Sequence, residues 1–185
     1  MSRQMHGRKK PARRVLRTNG ASPQLHCMAI PTDQETLLLP TSVMEEVIDF
    51  QEPTNIELAP SWLLGHIEWD GRQVPVFSFT ALINGTDVGE MPRRSKIMIL
   101  KSLNESGRVP YLGILLSDLP HPVTVKPEDL LETGDEKKSL GVFKRVSLEE
   151  EEVIVPELDR LTHLVTHAAF GALPITRLDQ EDDQS

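Results

Sequence analysis

The chain has 185 residues, of which 38% are hydrophobic and eight are aromatic, and its formal net charge is −8. So few aromatic residues argue against a surface that stacks the bases of single-stranded nucleic acid. No apolar run approaches the roughly 20 residues that a membrane-spanning helix needs. Cys27 is the only cysteine, which excludes an internal disulfide and is typical of a reducing compartment. The sequence therefore predicts a soluble cytoplasmic protein that does not insert into a membrane.

The charge is divided unevenly along the chain. Residues 1–20 carry seven Lys or Arg and no acidic residue, which leaves −15 on the other 165 residues. An acidic body repels phosphate backbones, so no nucleic acid is expected as a partner of the folded part. We interpret residues 1–24 as a disordered basic arm and residues 173–185 as a polar tail. The arm leaves one alternative open, a small-barrel protein that binds nucleic acid through it.

The first half of the chain predicts short strands separated by turns. The first two strands are Leu25–Ile30 and Thr36–Leu39, each ended by a proline. Thr41–Glu46 predicts one helical turn, because a Thr or Ser cap is followed by Glu three or four residues later. A strand returns at Val47–Phe50, and a loop with two prolines follows.

A β-hairpin is the strongest local prediction. Leu63–Trp69 and Arg72–Phe79 are strand-like, and Asp70-Gly71 between them suits a type I′ turn, which needs positive φ at both central residues. Trp62 and Trp69 fall on opposite faces of a regular strand, which predicts one core tryptophan and one partly exposed tryptophan. Tryptophan is enriched where protein interfaces concentrate their binding energy. A core position for both rings is the alternative.

The second half of the chain returns to strands after a linker. A short helix or loop at Thr80–Ile83 leads into residues 86–94, which are polar and contain Gly and Pro. Pro122 makes the strand that contains it an edge strand. The last two strands form a second hairpin. The strands predicted here are Lys96–Leu103, Val109–Ser117, His121–Lys126, Leu140–Ser147 and Glu151–Val155.

One helix closes the predicted fold. Pro156–Ala168 begins with proline followed by acidic residues, a good N-terminal signature. Its leucines and Val165 recur on one face, so this face docks on the body. About ten short strands and one helix predict an all-β fold, either a sandwich or paired small barrels.

Catalytic chemistry is nearly absent from the sequence. Asp159, His163 and His167 have the four-residue spacing of one helix face, which allows a metal-dependent hydrolase as an alternative. The glutamate that follows the first histidine in zinc proteases is missing, and exposed histidines are usually solvated. Phosphate-binding glycine loops and nucleophile elbows are absent as well. We expect neither an enzyme nor a cofactor, and Cys27 is interpreted as a small core residue.

The order and spacing of these motifs resemble the CheW-like chemotaxis coupling proteins. That family has a short turn with an acidic residue, a proline loop, a hydrophobic-Gly strand, a tight turn and a Val-Pro-Val strand, followed later by a buried Gly-hydrophobic strand and a terminal helix. The sequence around the two tryptophans is most similar to that of the ChpC subgroup, which is associated with chemosensory systems that control type IV pili. The matching residues are Glu46, Pro60, Leu63–Gly65, Gly71, Val74–Val76, Tyr111–Leu116 and Val153–Asp159.

The resemblance implies a fold and a role. The fold is two SH3-like five-stranded β-barrels packed side by side over residues 25–172, divided near 86–94, with a C-terminal helix and a hydrophobic seam between the barrels. The role is a non-enzymatic adaptor that joins the cytoplasmic tip of a chemoreceptor to the regulatory domain of a histidine kinase. Such proteins bind no cofactor.

This chain departs from the family at the hairpin tip. The family commonly has Asn-Leu-Arg-Gly there, and its arginine pairs with the acidic residue of the short turn. Here the tip is Glu68-Trp69-Asp70-Gly71, so Glu46 is predicted to lack its partner, and Arg72 is a poor geometric substitute. The candidate protein-binding residues are Glu46, Trp62, Leu64, Glu68, Trp69, Asp70 and Arg72.

Overall fold

The computed structural model describes residues 23–91, 93–103, 109–132 and 139–171. The predicted polar tail, and all but the last two residues of the predicted basic arm, lie outside the described residues. The described part forms eleven strands and two α-helices. The strands are β1 (Leu25–Pro31), β2 (Thr36–Pro40), β3 (Met44–Asp49), β4 (Leu63–Trp69), β5 (Arg72–Phe77), β6 (Lys96–Lys101), β7 (Tyr111–Leu116), β8 (His121–Val125), β9 (Leu131–Glu132), β10 (Val142–Leu148) and β11 (Glu151–Pro156), and the helices are α1 (Phe79–Asn84) and α2 (Leu158–Phe170).

The strands form two sheets, each curved into a small barrel. One sheet has the order β8-β1-β2-β11-β10-β9 and is called the six-stranded barrel. The other has the order β3-β6-β7-β5-β4 and is called the five-stranded barrel. The prediction of a mainly β fold with two SH3-like barrels and a C-terminal helix is confirmed, and the sixth strand, β9, adds only two residues. The sheet also confirms β8 as an edge strand.

The sheets divide the chain differently from the predicted division near 86–94. Strands β6 and β7 follow that segment, yet both belong to the five-stranded barrel together with β3, β4 and β5. The six-stranded barrel combines β1 and β2 with β8 to β11. The segment is thus a connection within one barrel. A polar segment with Gly and Pro indicates that a strand has ended. It does not indicate which sheet the next strand joins, because this depends on pairing between strands that are distant in the sequence.

Three apolar clusters hold the fold together. Each barrel has its own small interior, one centred on Cys27 and Leu38 and the other on Ile67 and Val76. The largest cluster lies between the barrels and is called the seam. Its buried residues come from both barrels and from α2, and they are Ile30, Leu37, Leu39, Leu63, Phe77, Phe79, Leu82, Met98, Leu100, Val109, Leu112, Ile114, Leu116, Ile154, Leu161 and Val165. The barrels therefore share their main core.

Helix α2 joins the two barrels. It follows β11 of the six-stranded barrel and packs on β4 and β5 of the five-stranded barrel, with Leu161 and Val165 fully buried in the seam. The helix begins two residues later than predicted, because Pro156 still pairs with Val142 in the β10–β11 ladder. The N–H of Glu157 extends this ladder to the carbonyl of Gly141 at 2.9 Å. Neither α1 nor α2 has the length and apolar character of a membrane span.

The predicted helical turn is shorter than expected: a 3₁₀ turn covers Thr41–Val43, and Glu46 lies on strand β3 because it pairs with Ile99 of β6. Cys27 is buried in the six-stranded barrel, and burial raises the pKa of its thiol. Its core role is confirmed.

Candidate protein-binding site

The β4–β5 hairpin turns as its sequence predicts. Asp70 and Gly71 have φ values of 48° and 69°, the two positive values of a type I′ turn. This turn sets the register, so that Trp69 is paired with Arg72 across the hairpin. The hairpin tip therefore presents both side chains of this pair next to the exposed Asp70.

Glu46 has a partner, contrary to the prediction. The indole Nε1–H of Trp69 donates a hydrogen bond to Oε2 of Glu46 at 2.8 Å. Asp70 takes the position of the family's arginine and forms no contact with Glu46, while the neighbouring tryptophan supplies the donor. The residue type differs, but a donor still reaches this carboxylate.

This hydrogen bond connects the two outer strands of the five-stranded sheet. Glu46 lies on β3 and Trp69 on β4, which are at opposite ends of the strand order. Backbone hydrogen bonds do not join these two strands within the described sheet. The Trp69–Glu46 bond therefore links the barrel across its open edge, where the backbone ladder is missing.

An aromatic and cationic contact extends the arrangement. The rings of Trp69 and Tyr111 meet edge to face, with centroids 5.0 Å apart. The guanidinium Cζ of Arg72 lies 5.6 Å from the centroid of the Tyr111 ring. Both rings are partly buried against the barrel interior. Glu46, Trp69, Arg72 and Tyr111 are called the tip cluster.

The hairpin tip, taken together with the tip cluster, carries a net negative charge. Glu68 and Asp70 beside it are exposed, and neither forms a hydrogen bond or ion pair with the described part of the chain. Together with Glu46 they set three carboxylates against the single guanidinium of Arg72, a formal charge of −2. Such a surface attracts positive charge.

Two ion pairs beside the tip cluster bind β3 to β6. Glu45 is paired with Lys101 at 3.2 Å, and Asp49 is paired with Lys96. The hydrogen bond from Lys96, together with its charge, lowers the pKa of Asp49. These pairs occupy the carboxylates of Glu45 and Asp49, whereas Glu68 and Asp70 at the hairpin tip have no such pair within the described residues.

Trp62, just before β4, and Leu64, near its start, lie roughly 23 Å and 16 Å from Trp69 at about 3.3 Å per residue. The Trp62 ring meets Phe77 edge to face at 6.4 Å, beside the seam. Leu64 is the extra residue of a β-bulge and is half-buried. Trp62 and Trp69 are both half-buried, so the predicted partly exposed tryptophan is confirmed and the predicted core tryptophan is wrong. Alternation of faces cannot be counted across a bulge.

The metal-site alternative gains no support. Asp159, His163 and His167 are all exposed on α2. Within the described ranges, no three His, Cys, Asp or Glu side chains are grouped so that they could hold a metal ion.

Replacing Trp69 with Phe tests the link across the barrel. Trp69→Phe keeps a ring against Tyr111 and removes the indole donor, so we expect a loss of about 0.5–1.5 kcal/mol in the free energy of unfolding. Glu46→Ala is expected to lose a similar amount. Because both remove one bond, the double variant should lose less than the sum, as measured by urea denaturation. Strictly additive losses would contradict the link.

The comparisons with known proteins agree on the fold. A model of the CheW-like domain family matches residues 26–165. The crystal structure of the scaffolding protein TtCheW from Thermoanaerobacter tengcongensis is similar at a TM-score of 0.61 and 16% sequence identity, covering 74% of this chain and 90% of that one. No curated protein sequence matches the chain. Since the family model spans most of the chain and both barrels, this protein belongs to the CheW-like domain family.

Proposed function

We propose that this chain is a non-enzymatic adaptor of the cytoplasm that couples chemoreceptors to a histidine kinase. The observation that carries the proposal is the family match over residues 26–165, which includes strands of both barrels. In this role the chain binds and positions its partners, and no bond of a substrate is made or broken.

Each partner has a surface of its own in this proposal. The regulatory domain of the kinase packs on exposed strands and loops of one barrel, and the helix hairpin of the receptor tip enters a groove between the barrels. A cavity of about 260 Å³ supports such a groove, because residues of both barrels line it, among them Asp33, Thr80 and Ser117. The shared seam keeps the two surfaces in a fixed relation.

The hairpin tip selects the partner by charge. Relatives with an arginine at the tip neutralise the acidic residue that corresponds to Glu46, whereas here Trp69 binds it without adding a positive charge. The exposed Asp70 adds a further negative charge. We infer that the protein that contacts this hairpin tip carries Lys or Arg at the contact, whereas the proteins that contact the tip of those relatives do not.

The similarity of the sequence to the ChpC subgroup leads us to propose that the chain acts in a type IV pilus chemosensory system. The run Trp62–Gly65 and the Trp-x-Gly tip support it. Genes for a chemosensory kinase and for pilus proteins beside the gene of this chain would agree with it, and a deletion strain should lose twitching motility.

A charge at Leu64 tests the kinase contact. Leu64 is half-buried at a bulge near the seam, so Leu64→Glu places a carboxylate within the proposed interface. We expect at least about tenfold weaker binding to the kinase regulatory domain, the size of effect typical of an apolar anchor. Calorimetric titration with purified proteins measures it.

Leu119→Glu is the matched control. Leu119 is 60% exposed in the segment after β7 and is not part of the hairpin, so binding should be unchanged. Circular dichroism establishes that both variants are folded. If the Leu64 variant and the unaltered protein bind with equal affinity, the hairpin is not part of the interface. If the unaltered protein does not bind the kinase domain, the adaptor role is refuted.

A further inference from the structure

Leu58 has a backbone conformation that leucine rarely adopts. It lies in a turn that begins at Ile56, where the N–H of Ala59 donates to the Ile56 carbonyl at 3.2 Å. Its φ is 61°, in the left-handed region that glycine and asparagine favour. The backbone of Leu58 is therefore strained, because its Cβ atom lies too close to the following carbonyl oxygen.

Burial does not offset the strain. The Leu58 residue is 98% exposed, the highest value among the large hydrophobic residues in the described part of the chain. Glycine or asparagine would serve the turn better, and a polar residue would serve the surface better. Strain that the fold itself does not need points to a function outside the fold.

The surroundings of Leu58 indicate the chemistry of a partner. Glu52 and Glu57 are exposed in the same loop, residues 51–60, which contains no Lys or Arg. Ile56, at the start of the turn, lines a cavity of about 220 Å³ together with Pro75, Ala169 and Phe170 and with the polar residues Asn55, His66 and Gln73, and Phe170 is itself 46% exposed. The loop thus presents one protruding apolar side chain, Leu58, among acidic residues.

We propose that Leu58 is a binding anchor that inserts into an apolar pocket with a basic rim on the regulatory domain of the histidine kinase. The proposal rests on the adaptor function proposed above. A protruding side chain needs a recess in its partner, which a folded domain offers, whereas a receptor helix hairpin presents a convex surface. The acidic loop complements a rim of Lys and Arg.

Leu58→Asn separates the fold from the interface, because the two effects have opposite signs. Asparagine tolerates positive φ, so the midpoint of thermal unfolding should rise by about 2–4 °C. The affinity for the purified kinase regulatory domain should fall by about tenfold or more, since an anchor in a desolvated pocket is lost. Leu58→Met keeps an apolar side chain and should bind within about threefold of the unaltered protein.

Leu119→Asn is the control for an exposed leucine without positive φ, and it should change neither the midpoint nor the affinity. If the unaltered protein binds the kinase domain and Leu58→Asn binds equally well, the anchor is refuted while the adaptor role stands. If Leu58→Asn loses a purified receptor tip and keeps the kinase domain, the chosen partner is wrong. If the unaltered protein binds no kinase domain, the adaptor role fails first.

Discussion

Gly65→Ala is expected to cost about 3–5 kcal/mol in the free energy of unfolding, a sum of left-handed strain and overpacking. Gly65 has a φ of 140°, and a Cβ atom there would lie 2.2 Å from the carbonyl oxygen of Thr54. That carbonyl cannot easily move away, because Thr54 and His66 exchange two backbone hydrogen bonds of 2.8 and 2.9 Å. Alanine must therefore break the bridge that covers the outer edge of β4. Urea denaturation measures the loss.

Gly71→Ala is the matched control for Gly65. Gly71 also has a positive φ, 69°, but no atom lies within 4 Å of a Cβ placed there. We expect a smaller loss of about 1–2 kcal/mol, from the backbone conformation alone. If the two alanine variants are equally stable, the close approach of Thr54 does not constrain the hairpin.

Phe77→Ala is expected to cost about 3–5 kcal/mol, as is usual for a fully buried phenylalanine. Phe77 has no exposed surface and lies in the seam, so the cavity left behind affects both barrels. Because the barrels share this core, unfolding should remain a single transition at a lower denaturant concentration. In a Trp69→Phe background Trp62 is the only tryptophan, and its fluorescence reports directly on the packing against Phe77.

Phe143→Ala is the comparison for Phe77. Phe143 is the extra residue of a β-bulge on β10 and is 63% exposed, so its removal should change stability by about 0.5 kcal/mol or less. Two separate transitions in the Phe77 variant would mean that the barrels are stabilised independently, against the shared core that the structure shows.

The sequence alone was sufficient to predict those features that depend on one short stretch of the chain. Asp70-Gly71 predicts a type I′ turn because few residue pairs accept two positive φ values, and the structure has both. The apolar face of α2 likewise predicts that Leu161 and Val165 are buried, since helical spacing is preserved along the whole element.

The tip cluster could be predicted only in part. Its hairpin residues stood out, but Tyr111 lies about 40 positions further along, and only the parallel pairing of β5 with β7 brings it to Trp69. The partner of Glu46 was missed because the expected donor was an arginine at one position. An indole one residue earlier reaches the same carboxylate, and no local pattern signals this exchange.

Bulges explain the remaining errors at the site. Extra residues at Glu45 and Leu64 interrupt the regular pairing on which the counting of alternate residues depends, and Trp62 packs beside the seam as a half-buried residue. A bulge depends on how two strands are paired, which the order of residues in one strand does not contain.

The arrangement of the two barrels along the chain has a consequence for synthesis. All strands of the five-stranded barrel lie between Met44 and Leu116, enclosed in sequence by the two parts of the six-stranded barrel. During synthesis on the ribosome, all strands of the five-stranded barrel emerge while the β1–β2 hairpin of the six-stranded barrel still lacks β8 and β11. Until those strands emerge, Leu37 and Leu39 have only the finished barrel to cover them. The five-stranded barrel thus provides the apolar surface against which the six-stranded barrel is completed.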